Sequence, residues 1–224
     1  MTKIILLTLT YLAGIGELLL AIFFWKTNSK NEIRRLMALM SLVVSIWAFS
    51  NALSAYSNPG PIVTFFIATL YVAGILLVTL IFHFSIVFPH KIFYFDRFHA
   101  LLLYLPAAII TYIEIFSKTI LAGYTIAPDN PGFMIPGPLF GLYNFCLAIF
   151  FLASLCLLFY KYKKTDGINR KNLQIVFWSI FIGGAPAIFI NIWAVFSAAQ
   201  INALIPVVFT LFWVLLTTYI IFRK

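Results

Sequence analysis

Between Ile62 and Phe88 the chain reads IVTFFIATLYVAGILLVTLIFHFSIVF, with no Lys, Arg, Asp or Glu. As a helix this run is about 40 Å long at ~1.5 Å per residue, more than the about 30 Å of a bilayer's hydrocarbon core. A soluble core helix has no reason to be so long and so uniformly apolar, so the run reads as a transmembrane helix. The uncharged turn SNPGP (57–61) precedes it, and it ends at FPHK, where basic residues begin. It carries one ionisable side chain, His83, about a turn and a half before Pro89.

The rest of the chain has the same character. It is 63% hydrophobic and only 9% charged, so nearly every long segment must face lipid or another buried helix. Apolar runs between charged and Pro/Gly breaks give seven spans, approximately 4–25, 33–56, 62–88, 98–117, 138–160, 172–197 and 201–222. With 224 residues and short loops, no soluble domain fits beside them. The expected fold is all-α, one integral membrane domain over 1–224 with seven transmembrane helices. The first run has no basic region beyond Lys3 and no small-residue cleavage site before Lys26, so it is expected to be retained rather than cleaved as a signal peptide.

Charge asymmetry sets the orientation. Of the 15 Lys and Arg residues, all but Lys3 and Lys118 fall in connections on one side or at the C-terminus. Basic residues stay in the cytoplasm, so the N-terminus is expected outside and the C-terminus inside. The net charge of +9 is then a matter of topology and not of nucleic-acid binding, because no basic face exists outside those loops. This describes a multi-pass protein of the cell membrane, with the lipid bilayer as its main partner.

Two connections stand out. The outer one, KTILAGYTIAPDNPGFMIPG (118–137), holds Pro128, Pro131 and Pro136 with Asp129-Asn130, which suits an ordered capping loop or small hairpin better than a helix. It either covers a site or merely connects two helices. The inner one, KYKKTDGINRK, reads as a solvated turn at the lipid headgroups. Cys146 and Cys156 share one apolar segment, roughly 15 Å apart along a helix axis, too far for a mutual disulfide, and read as packing residues.

Intramembrane polar side chains are costly, so each needs an account. Counting along the spans puts Glu17, His83 and Gln174 in the inner half. Asn51, Glu114, Asn144, Asn191 and Asn202 fall in the outer half. Glu17 shares a helical face with the small residues Ala13 and Ala21, and His83 lies at comparable depth. The pair reads either as a conformational or proton switch between helices 1 and 3, or as a hydrogen bond that fixes packing. In the outer layer, Trp47, Asn51, Glu114, Asn144, Asn191 and Trp193 place polar groups beside aromatic walls. They are the expected ligand-binding set, with interhelical hydrogen bonding as the plainer alternative. Trp25 and Trp178 read as anchors at the inner interface. Gly183, Gly184 and Pro186 combine two glycines with a lost backbone hydrogen bond and are read as a hinge or an ordinary kink.

Several chemistries are absent. There is no HExxH, no Cys/His metal spacing, no GxSxG and no phosphate-binding Gly-Lys loop. The seventh span has no lysine for a retinal Schiff base and no NPxxY, and Glu17 and Glu114 lie in opposite leaflets. No catalytic residue, metal or cofactor is expected, and the chain is not expected to be an enzyme by itself.

In order along the chain, NSKNEIRRLMALMSLVVSIWAFSNAL, FHFSIVFPHK, LLLYLPAAI, GPLFGLYN and TTYIIFRK resemble one bacterial family, the N-terminal seven-transmembrane region of histidine kinases. The resemblance covers essentially the whole chain and rests on loose hydrophobic patterns in a given order. It implies a sensory membrane module of a two-component or related system in a bacterial inner membrane, followed by PAS, histidine kinase or diguanylate cyclase domains. Here the chain ends at Arg223-Lys224, so the resemblance is to the input half alone. The output is then expected from a separate protein or from a truncated reading frame. The expected function is detection of a small ligand or membrane state, passed as a helix rearrangement to a cytoplasmic kinase, cyclase or PAS-type partner. A homodimer is left open, and the alternative function is a small seven-helix transporter or channel component.

Overall fold

The computed structural model describes residues 2–28, 30–56, 60–91, 95–117, 119–127 and 130–197. In chain order the elements are α1 (Thr2–Asn28), α2 (Glu32–Tyr56), α3 (Pro61–Val87), α4 (Arg97–Ser117), β1 (Leu121–Ala127), β2 (Asn130–Pro136), α5 (Phe140–Lys164) and α6 (Gly167–Ser197). Six of these helices are long and apolar enough to cross a membrane. The seventh span expected at 201–222, with Asn202, lies outside the described residues.

Helix α3 starts with Pro61 in its first turn, where a missing N–H is harmless because that donor has no intrahelical acceptor. It ends when the Phe88 N–H closes on the Phe84 carbonyl at 2.8 Å and Pro89, lacking an N–H, cannot continue. It is the hub: α2, α4, α5 and the start of the hairpin all pack on it, while α1 packs on α2 and α6 on α5. Two cores result. At the basic end Phe24, Met37, Met40, Phe84, Leu158 and Leu173 interlock five helices. At the hairpin end Ile67, Tyr71, Ala107, Ile120, Phe140 and Tyr143 do the same around α3. Lipid supplies no hydrophobic drive for helices to associate, so close packing and buried hydrogen bonds carry the assembly.

Small residues mark the close approaches. Phe49 of α2 packs on Gly14 of α1, and next to it the Ser45 hydroxyl donates to the Gly14 carbonyl at 2.8 Å. Across the hub, the Tyr143 hydroxyl of α5 sits over Gly74 and donates to the Tyr71 carbonyl at 3.1 Å. Gly184 lies so close to the Phe151 ring that a Cβ there would collide with it. The segment Gly183–Pro186 stays within a helix that continues to Ser197, and Gly184 has a packing role there.

The connection between α4 and α5 forms a two-stranded antiparallel hairpin, as its prolines and turn residues suggest, with Tyr124 opposite Met134. Its base is closed by the Gly137 N–H on the Ile120 carbonyl at 2.8 Å and the Leu139 N–H on the Thr119 carbonyl at 3.0 Å. Gly137 abuts the Thr119 carbonyl too closely for any side chain.

Two readings need correction. The turn is much shorter than KYKKTDGINRK, since α5 runs on to Lys164 and α6 resumes at Gly167, leaving only Thr165 and Asp166 between them, while most of the stretch apart from Lys161 is exposed. Lys and Arg are good helix formers, and Gly167 takes the positive φ of 65° that reverses the chain. Cys146 packs against the hairpin-end core, but Cys156 is exposed and is not a packing residue.

Candidate functional site

The densest polar cluster lies at the basic end, where the last turns of α3 meet α2 and α4. His83 is almost fully buried, walled by the rings of Phe95 at 4.8 Å and Tyr104 at 5.7 Å between centroids. Its Nδ1 lies 2.9 Å from the Tyr104 hydroxyl of α4. Its Nε2 faces Glu32 Oε1, at the start of α2, at 3.6 Å. The other Glu32 oxygen pairs with Lys91 Nζ at 2.7 Å. A continuous line, Tyr104–His83–Glu32–Lys91, therefore ties α4, α3, α2 and the chain leaving α3. With neutral histidine, the assignment that uses every donor has Tyr104 donating to Nδ1 and the Nε2–H directed at Glu32.

A second tie grips the same end of α3 from the opposite side. Lys161, on the last turn of α5, is 1% exposed. Its ammonium donates to the carbonyls of Ile86 at 2.7 Å, Phe88 at 2.7 Å and His90 at 2.8 Å. An ammonium has three N–H donors, and all three are used. The acceptors include a carbonyl of the last turn of α3, which has no intrahelical partner, and a cation is favourable at that end of the helix dipole.

Glu17 and His83 are not joined, contrary to the pairing expected from depth alone. Glu17 lies on α1, which packs on α2, and His83 is held by Tyr104 and Glu32. Glu17 does lie with buried Ala13 and Ala21 on one face of α1.

At the hairpin end, Glu114 is buried in the last turns of α4. The Leu121 N–H donates to its Oε2 at 3.3 Å and the Ile120 N–H reaches the same carboxylate, so it anchors the start of β1. Tyr71 and Tyr143 lie close to it, stacked edge to face with centroids 5.1 Å apart. Asn144 donates to the Phe140 carbonyl at 3.1 Å, and its Oδ1 is buried without a partner. Trp47 packs on Ala13 and Ala48 in the α1–α2 seam, and Asn51 is buried one turn further along α2. Asn191 and Trp193 belong to α6, but their side chains lie outside the described residues. The α2 pair and the α4–α5 pair sit on helices that each pack on α3.

Sequence reasoning overlooked Glu32, Lys91, Tyr104 and Lys161 as site residues. A signal existed for Lys161, which follows Ser154 by seven residues and Leu158 by three, on the buried stripe of α5. Among the described residues no three metal-binding side chains converge.

The order of segments, a hub helix and basic residues gathered at one end agree with the family match, which spans nearly everything: the profile of the N-terminal 7TM region of histidine kinase covers residues 9–224. The chain belongs to that family. It is a multi-pass membrane protein of the input region of histidine kinases, and the matched range includes all of the clusters above and the span expected at 201–222. Comparison with curated proteins finds no match.

Proposed function

We propose that this chain is a sensory input module whose hub helix α3 carries a signal from the hairpin end to the basic end, where a cytoplasmic output protein reads it. The reading takes the N-terminus as outside and the basic end as cytoplasmic, in accord with the positive-inside rule. The observation that carries it is the placement of α3. One end packs on the hairpin that Glu114 anchors, and the other holds His83 and the carbonyls gripped by Lys161. A ligand or a change in membrane state at the hairpin end, acting on Glu114, Asn144 and their neighbours, shifts α3. The shift alters the Tyr104–His83–Glu32–Lys91 line. Trp47, Asn51, Asn191 and Trp193 complete the proposed ligand set, and Gly183–Pro186 is the proposed hinge in α6.

Between its two polar ends α3 buries Ile75, Val78, Leu80 and Ile81, and the Thr79 hydroxyl is bonded to its own helix at the Ile75 carbonyl, 2.8 Å away. This apolar middle of α3 supports signal transfer by helix movement over passage of a solute. The test joins the full chain to the cytoplasmic kinase core of a family member and measures autophosphorylation in membranes. Glu114→Gln at the hairpin end is expected to shift basal output severalfold at equal membrane levels. Output unchanged by both Glu114→Gln and His83→Ala would refute the proposal.

A further inference from the structure

Glu17 lies in mid-helix on α1 and is 0% exposed. Neither carboxyl oxygen has a hydrogen-bond partner. Across the seam, within interaction range, sits Ser41 of α2, also 0% exposed and also without a hydrogen-bond partner. The neighbouring hydroxyl of Ser45 is already engaged with the Gly14 carbonyl, and Ala13, Ala21 and Val44 are buried nearby. Among the described residues, no titratable or charged side chain faces Glu17 from α2, the helix on which α1 packs. Arg35 precedes Ser41 by six residues, ~9 Å along the axis, and Lys26 follows Glu17 by nine, ~14 Å. Among the described residues an ionised carboxylate here would meet no countercharge and one hydroxyl at most, and a group so placed takes up a proton instead. Divalent cations ask for about six or more oxygens, whereas the seam offers three side-chain oxygens without partners, two on Glu17 and one on Ser41.

We propose that Glu17 and Ser41 form a proton-binding site in the α1–α2 seam. The carboxyl carries the proton and donates it to Ser41 Oγ. Release of the proton leaves a bare charge between two helices held together by small residues and by the Ser45–Gly14 hydrogen bond, and drives the seam apart. The site stands independently of the sensory reading.

Infrared spectroscopy of the full chain in lipid vesicles at neutral pH reads the protonation state directly. The difference between wild type and Glu17→Gln is expected to show loss of one carbonyl stretch of a neutral carboxylic acid, with Glu114 common to both. Glu17→Asp keeps the acid and shifts the band, and Ser41→Ala raises its frequency by removing the acceptor; both remain informative should Glu17→Gln fail to fold. Alkaline titration is expected to convert the acid band into carboxylate bands, unaffected by exchanging sodium for potassium at fixed pH. Carboxylate bands from Glu17 at neutral pH, or an acid band that sodium abolishes at fixed pH, would overturn the proposal.

Discussion

Lys161→Met tests the grip on the basic end of α3 most sharply. Methionine approximates the volume of the lysine stem but brings no donor, so the Ile86, Phe88 and His90 carbonyls lose bonds of 2.7, 2.7 and 2.8 Å together. Hydrogen bonds to charged groups contribute roughly 1.5–3 kcal/mol each, so the three sum to about 5–9 kcal/mol before offsets. Two offsets apply. Removing a buried ammonium recovers its desolvation cost of several kcal/mol, and His90 is exposed enough for water to reach its carbonyl. The expected net loss is about 2–4 kcal/mol, on the order of a 30- to 700-fold change in the folding constant. Lys161→Arg keeps the charge, but its planar fork does not direct three donors at three converging carbonyls, so it is expected to restore only part. Reversible unfolding in mixed micelles, read by tryptophan fluorescence, measures both. A Lys161→Met protein as stable as wild type would refute the reasoning, because the three short bonds would then contribute nothing.

Tyr104→Phe removes the hydroxyl beside His83 Nδ1 and leaves that nitrogen buried, which is expected to cost about 1–3 kcal/mol in the same unfolding assay. At the start of α4, Asp96 accepts the His99 N–H at 3.0 Å and pairs with His99 Nδ1 at 2.6 Å, and these two contacts hold its carboxyl below the usual carboxylate range. The folded state therefore binds fewer protons than the unfolded one at mildly acid pH. The stability this cap contributes is complete above the unfolded pKa and is lost as pH falls through the lower, folded value. Asp96→Asn is expected to flatten that acid limb in the pH dependence of the thermal midpoint, and an unchanged limb would contradict the assignment.

What was legible in the sequence follows from how strongly each segment is constrained. The uncharged run of α3 allows little but a spanning helix, and it is also the hub, because a helix buried on several sides needs no polar face. The prolines and Asp129-Asn130 marked the hairpin, since several together disfavour a continuous helix and favour turns. Depth counting placed Glu17 and His83 at similar levels but said nothing about neighbours, and pairing depends on which helices touch. The residues that tie the basic end of α3 were hidden for a different reason. Glu32, Lys91 and Lys161 sit among the charges at the ends of the spans, where basic residues are expected on topological grounds alone, so three gripped carbonyls looked the same as a solvated terminus. For the expected ligand set the sequence supplied composition without geometry, because depth along a helix does not say which side chains converge.

Hydrogen exchange in Glu114→Gln tests the central claim, that α3 links the two ends of the molecule, most directly. The perturbation is made where Leu121 and Ile120 meet α4, and the readout is at the far end of α3, in the peptide spanning 84–91. That peptide contains the Phe88 amide bonded to Phe84 and the carbonyls held by Lys161. Transmission along α3 predicts faster exchange there as well as at the hairpin base. Exchange altered only around 114–140, with 84–91 unchanged, would contradict the account.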